Sequence, residues 1–168
     1  MKVLALASLL CACPALFANE PCNNAAANAC CKARTVENNV VVGAARTAQY
    51  VPGLRGKRVA LFSNHTGMVG DKHTLDIMLG EGLNVVTLFS PEHGFRGTAD
   101  AGEHVGNSVD EPTGIPIASL YGGKGTRMPA KEVMDGLDVI VVDIQDVGLR
   151  YYTYYCTMID LMNADKAY

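Results

Sequence analysis

The sequence predicts an α/β domain, three layers around a mostly parallel sheet. Three observations predict it. Unbroken apolar runs recur at residues 59–62, 84–89, 117–120 and 139–142, and runs without alternation suit strands covered on both faces. Stretches with a helical spread of apolar residues lie between them, as the crossovers of parallel strands require. Each run then gives way to a polar or glycine-bearing segment, the composition of a loop.

Taken in order, the chain opens with Met1-Lys2, an almost wholly apolar stretch over residues 3–10, then small residues and Pro14. That order predicts an export leader over residues 1–18 rather than a folded element. Leu10-Cys11-Ala12-Cys13 resembles a bacterial lipobox, so a lipid anchor at Cys13 is one reading. Cleavage after Ala18 is the other, with Leu16 standing where a small residue is preferred. No later run reaches the roughly 18–20 apolar residues needed to cross a bilayer. The expected location is therefore the periplasm, in solution or as a membrane-anchored lipoprotein. Residues 19–35, rich in Asn and Ala, suit a tether, which leaves residues 36–168 as the folded part. Cys11, Cys13, Cys22, Cys30 and Cys31 all precede it, which excludes a disulfide framework for the core. Export would favour pairing of Cys22 with Cys30 or Cys31. Cys156, among Tyr and Met at helical spacing, reads as a small buried hydrophobe.

Pro52-Gly53 marks a turn ahead of the first run, which ends in Ser63-Asn64-His65-Thr66-Gly67. Residues 74–79 carry a helical pattern. The second run leads into Ser90-Pro91-Glu92-His93-Gly94-Phe95-Arg96-Gly97, and the third into Tyr121-Gly122-Gly123. Residues 129–134 can start and carry a helix. The most hydrophobic run, 139–142, leads into Asp143-Ile144-Gln145-Asp146-Val147-Gly148. Beyond it Tyr151, Tyr155, Met158, Ile159 and Met162 share one face of a final helix, read as core packing. Because the carboxyl ends of parallel strands lie along one edge, the four loop segments converge there on one site.

Composition removes several functions. A formal charge of −3 and no Lys/Arg-rich block argue against a grip on nucleic acid. With no Trp and 7% aromatic residues, no stacking platform stands out. Gly123-Lys124-Gly125-Thr126 lacks the spacing of a phosphate loop. No Gly-x-Gly-x-x-Gly follows the first strand, and no Gly-x-Ser-x-Gly elbow occurs, so no cofactor is indicated. His65, His73, His93 and His104 lack metal-ligand spacing, so no metal is expected.

The motifs Ser63-Asn64-His65-Thr66-Gly67, Leu88-Phe89-Ser90-Pro91-Glu92-His93-Gly94-Phe95-Arg96-Gly97, Ala101-Gly102-Glu103, Thr113-Gly114, Ser119-Leu120-Tyr121-Gly122 and Asp143-Ile144-Gln145-Asp146-Val147-Gly148, with Arg150, Tyr152, Thr153 and Tyr154, carry a resemblance. In order and spacing they are similar to the bacterial exo-β-N-acetylmuramidase (NamZ) family, from about residue 36 onward. The resemblance implies a peptidoglycan-recycling glycosidase with a Rossmann-like first domain and a second, barrel-like domain closing a cleft. Its substrates would be muramyl saccharides that lose N-acetylmuramic acid from the non-reducing end, and its catalytic glutamate matches Glu92. The second domain has no counterpart here, so the chain reads either as a piece of a longer protein or as a truncated relative. No protein partner is legible.

Glu92 suits the chemistry independently. A glycosidase protonates the departing oxygen, which a carboxyl at an apolar strand end does if partial desolvation raises its pKa. The alternative is a carboxylate that caps a turn or helix. A second carboxylate would be Glu103 or Asp146, or lie outside this chain, and a 2-acetamido sugar also permits assistance by its own amide. Arg96 and Arg150 are candidates for the lactyl carboxylate of muramic acid, because guanidinium offers a two-pronged donor. Either could instead pair with Asp100, Asp143 or Asp146 as a loop brace. Asn64, His93, Gln145 and Tyr152 can bond sugar hydroxyls, with turn formation the alternative for Asn64 and packing for Tyr152. Asp143, ending a buried strand, reads as a brace. The rival functions are a non-catalytic sugar-binding module and an inert truncation product.

Overall fold

The computed structural model describes residues 2–5, 40–100, 102–122 and 128–168, the first four by backbone only. The tether, the cysteine pairing, the lipid anchor and most of the leader lie outside the described residues.

Strands β1 (Lys2–Ala5), β2 (Val59–Ser63), β5 (Val85–Ser90), β6 (Ser108–Asp110), β7 (Ile115–Ser119) and β8 (Val139–Asp143) form one sheet in the order β1-β8-β2-β5-β7-β6. All neighbours are parallel except β6 and β7. A two-stranded hairpin, β3 (Met68–Val69) with β4 (Lys72–His73), rises from the loop after β2. The helices are α1 (Thr47–Leu54), α2 (Thr74–Gly80), α3 (Lys131–Asp135) and α4 (Tyr154–Ala167).

The unbroken apolar runs behave as two-faced strands do. Val59, Leu61, Leu88, Val139 and Val141 pack with Tyr50, Val51 and Leu54 of α1 and Leu75 and Met78 of α2. Their alternates Ala60, Phe62, Phe89, Ile140 and Val142 pack with Met134 of α3 and Leu161 and Ala164 of α4. This is the three-layer α/β fold expected from the runs. The β2–β8 register is tied at its start by Arg58, whose amide and guanidinium both donate to Asp138. That pairing holds the exposed Asp138 carboxyl down to about 2.

Three local expectations are corrected. Pro52 and Gly53 lie inside α1, both exposed, rather than forming a turn; the proline forfeits one backbone hydrogen bond, and the helix ends two residues later at Leu54. Lys2–Ala5 pairs in parallel along the outer edge of β8, whose N–H and C=O row accepts an added strand. The final helix buries Tyr154, Thr157, Leu161 and Ala164, while Tyr151, Tyr155, Ile159 and Met162 are exposed. Its inward face is thus turned from the stripe of large residues, with only Met158 of that stripe packed against the core, because small Ala164 and Thr157 allow close approach to the sheet. Cys156 is only half-buried, with a free thiol.

Candidate active site

The loops converge at the carboxyl edge of the sheet. Strand order runs from β2 outward through β5 and β7, then returns to place β8 on the other side of β2. The crevice of an open α/β sheet lies at such a reversal. Each of these strands ends polar: Ser63 pairs in register with Asp143, and Ser90 with Ser119. The row continues the α1/α2 face of Leu61, Val141, Leu88 and Ile117, so a polar rung closes that side of the core. Thr74, at the start of α2, donates its hydroxyl to Asp143 at 2.5 Å. Burial raises the Asp143 carboxyl, partly offset by Thr74 and by nearby His73. His73 accepts from the Leu75 N–H at Nδ1, which leaves Nε2–H to donate to the Asn64 carbonyl at 2.8 Å. Gly67 must lack a side chain here, since a Cβ would lie 2.3 Å from Ser63 Oγ.

Glu92 follows β5 in a turn closed by the Gly94 N–H on the Pro91 carbonyl at 3.1 Å. His93 in that turn has φ 69°, a left-handed conformation rare outside glycine, and such strain concentrates at functional sites. Its ring pins the loop through Nδ1 to the Ala99 carbonyl at 2.9 Å. Half-buried Glu92 gathers donors from its own loop and two other segments. Thr153 Oγ1 donates to Oε2 at 2.8 Å, the Gly102 N–H to Oε1 at 3.3 Å, and the Tyr121 hydroxyl also bonds to it. Burial pushes the Glu92 carboxyl up, but these hydrogen bonds, with His93 beside it, outweigh burial and hold it below its usual value. The elevation expected of an acid at an apolar strand end is thus reversed, because the loops supply donors for the charged form.

The other candidate residues separate by what they hold. Glu103 is exposed and accepts from the Asp100 N–H at 2.8 Å, closing its own loop. Asp146 accepts from the Gly148 N–H at 2.7 Å and the Tyr155 N–H at 3.2 Å, so it caps α4. Arg96 makes a two-pronged pair with Asp110, at 2.9 Å on each arm, and its guanidinium lies over Phe95. The brace partner is therefore Asp110, not Asp100, Asp143 or Asp146. Asn64 is fully buried, its carbonyl oxygen accepting from the Thr66 N–H and hydroxyl, the form of a turn residue. Gln145 is exposed, with its N–H on Thr66 Oγ1, and Arg150 is exposed and pairs with no carboxylate among the described residues. Tyr152 is half-buried and stacks edge-on against Tyr154, 5.1 Å between centroids. Sequence reasoning missed Gly102, Tyr121 and Thr153 as partners of Glu92, since Tyr121 and Thr153 reach it from loops distant in sequence and Gly102 from further along its own loop. It also missed Asp110, on a three-residue strand without a hydrophobic signature. No cluster of three His, Cys, Asp or Glu side chains that could hold a metal occurs among the described residues.

A carboxylate presented at the edge of a mostly parallel sheet, held by donors from three loops, defines an α/β domain built around an edge site. Residues 59–168 match the family model described as the N-terminal region of exo-β-N-acetylmuramidase NamZ, and the chain belongs to that family. It is 44% identical over 119 residues to the peptidoglycan β-N-acetylmuramidase NamZ of Bacillus subtilis (strain 168), a match covering 70% of this chain and 28% of the relative. Two solved DUF1343 family proteins of Bacteroides fragilis NCTC 9343 share the fold. One is 51% identical with a TM-score of 0.60, covering 72% of this chain and 30% of its own length. The other is 42% identical with a TM-score of 0.61, covering 70% and 29%. The chain thus spans less than a third of the relatives it matches.

Proposed function

We propose that the whole protein is a glycoside hydrolase that releases N-acetylmuramic acid from the non-reducing end of peptidoglycan fragments, in cell-wall turnover and recycling. The observation that carries this reading is the convergence of Thr153, Gly102 and Tyr121 on Glu92 at the sheet edge, within a chain of the NamZ family. Glu92 is the general acid for the departing oxygen. Its donors favour the charged form, so binding of the saccharide must displace or reverse a donor before the proton is delivered. Arg150, exposed and without a carboxylate partner among the described residues, receives the lactyl carboxylate, while Arg96 stays on Asp110. His93, Gln145 and Tyr152 line the sugar, and Glu103 and Asp146 act on it through the loops they close unless substrate binding frees them. The protein works after export, in the periplasm or on its membrane face, on muramyl saccharides and without a cofactor.

The test is release of N-acetylmuramic acid from a defined disaccharide by the whole protein and by Glu92→Gln. Loss of turnover with retained saccharide binding supports the reading. Unchanged binding together with unchanged turnover removes Glu92, and binding with no turnover in the unaltered protein leaves a sugar-binding module. Fractionation of tagged protein tests export: an uncleaved cytoplasmic product contradicts it.

A further inference from the structure

Thr153 stands at the residue before α4, where threonine ordinarily turns its hydroxyl onto the helix's own free N–H groups. Here the hydroxyl makes no capping bond. Asp146 supplies the cap instead, through the Tyr155 N–H, and the Thr153 hydroxyl reaches across 61 positions of sequence to Glu92 Oε2. Both oxygens of Glu92 thus have a named partner, and the Tyr121 hydroxyl also bonds to the carboxyl. Oε1 faces the Gly102 backbone N–H, a group that only donates and disfavours a proton on the oxygen it bonds. Oε2 faces a hydroxyl, which donates to a carboxylate and, after rotation about its C–O bond, accepts from a carboxylic acid.

We propose that Thr153 is a positioning residue for Glu92: its reversible hydroxyl stays on Oε2 in both the charged and the protonated carboxyl and fixes the orientation of that oxygen. This rests on the reading of Glu92 as the general acid. The proton leaves Glu92 for the departing oxygen as the glycosidic bond breaks, the anomeric carbon bonds to water or to the sugar's own 2-acetamido oxygen, and Thr153 returns to donating to the carboxylate. The charged and titratable groups facing Glu92 are His93 from its own turn, Tyr121 from the end of β7, and Tyr154 from the start of α4, with Asp146 near Tyr154. Thr153 acts among them as a group that carries no charge in either state.

The experiment is the pH profile of kcat/KM for the whole protein, Thr153→Val and Thr153→Ser, on a muramyl disaccharide. An acid with a depressed pKa loses activity as pH rises through that pKa. Removing the Thr153 donor weakens the charged form, so the descending limb of Thr153→Val moves to higher pH. Above the wild-type limb it keeps roughly three- to tenfold more of its own plateau rate, the effect of one charge-assisted bond moderated by solvent. Thr153→Ser keeps the wild-type limb. A purely structural residue would change stability or KM and leave the limb in place. Thermal midpoints report folding, and Thr153→Ala is the second variant should valine be poorly accommodated. An unmoved limb in the folded variants, with Glu92→Gln inactive, overturns the role of Thr153 alone. An active Glu92→Gln overturns both it and the acid assignment.

Discussion

Gly97→Ala is expected to destabilise the domain by a mechanism that a partner substitution exposes. Gly97 has φ +70°, and a Cβ built there would lie 2.2 Å from Nδ1, 2.6 Å from Cγ and 3.0 Å from Cβ of His65. Two costs follow. The left-handed backbone disfavours any L side chain by about 1–2 kcal/mol. The overlap with His65 adds about 1–2 kcal/mol, toward the low end of overpacking costs because the exposed ring can swing outward. The sum, about 2–4 kcal/mol, corresponds to a loss of roughly 5–15 °C in Tm for a domain of this size. In a His65→Gly background the overlapping atoms are gone, so only the backbone cost of about 1–2 kcal/mol remains. Thermal or urea denaturation of the four-member cycle should give a coupling of about 1–2 kcal/mol. Equal losses in both backgrounds would refute the contact between the β2 and β5 loops on which the site's assembly rests.

Asp110→Asn should cost about 1–2 kcal/mol, less than a fully buried pair because Arg96 is over a third exposed. Burial pushes the Asp110 carboxyl up, but bonds from Arg96 and Thr113 hold it below its usual value. Its contribution is therefore complete above the unfolded pKa and lost as pH falls through the folded one, so the variant should show a flatter acid limb in melting experiments. Asp143 has the opposite sign: burial raises its carboxyl, the folded state retains a proton longer, and stability falls as pH rises from the unfolded to the folded value. Asp143→Asn, which can still accept from Thr74, should remove that decline in Tm against pH.

The parts of this fold legible in the sequence were those in which one physical requirement acts along a continuous stretch. Residues 59–62 and 139–142 are apolar at every position because both faces are covered, and they became the β2–β8 pair at the centre of the sheet. The strand Ser108–Asp110 was illegible, since its three residues form an antiparallel edge with two of them exposed. In α4 the size of the side chains misled: Tyr155, Ile159 and Met162 face outward, while Ala164 and Thr157 are fully buried. Glu92 was legible from its strand-to-turn setting. Its protonation was not, because the donors from Gly102, Tyr121 and Thr153 depend on where three separate loops fold, which no local pattern encodes.

The central claim is that Glu92 delivers the proton to the leaving oxygen, and turnover by Glu92→Gln in the whole protein tests it most directly. Glutamine keeps the size and one oxygen, which can accept from the Gly102 N–H while the amide N–H donates to the Thr153 hydroxyl, but it carries no transferable proton. Cleavage of the natural disaccharide should fall by roughly 100-fold or more, in line with general-acid contributions. A muramide with an activated aryl leaving group, which needs little protonation, should recover much of that loss. Near-normal cleavage of the natural disaccharide by folded Glu92→Gln, with Glu103→Gln or Asp146→Asn inactive instead, would contradict the assignment.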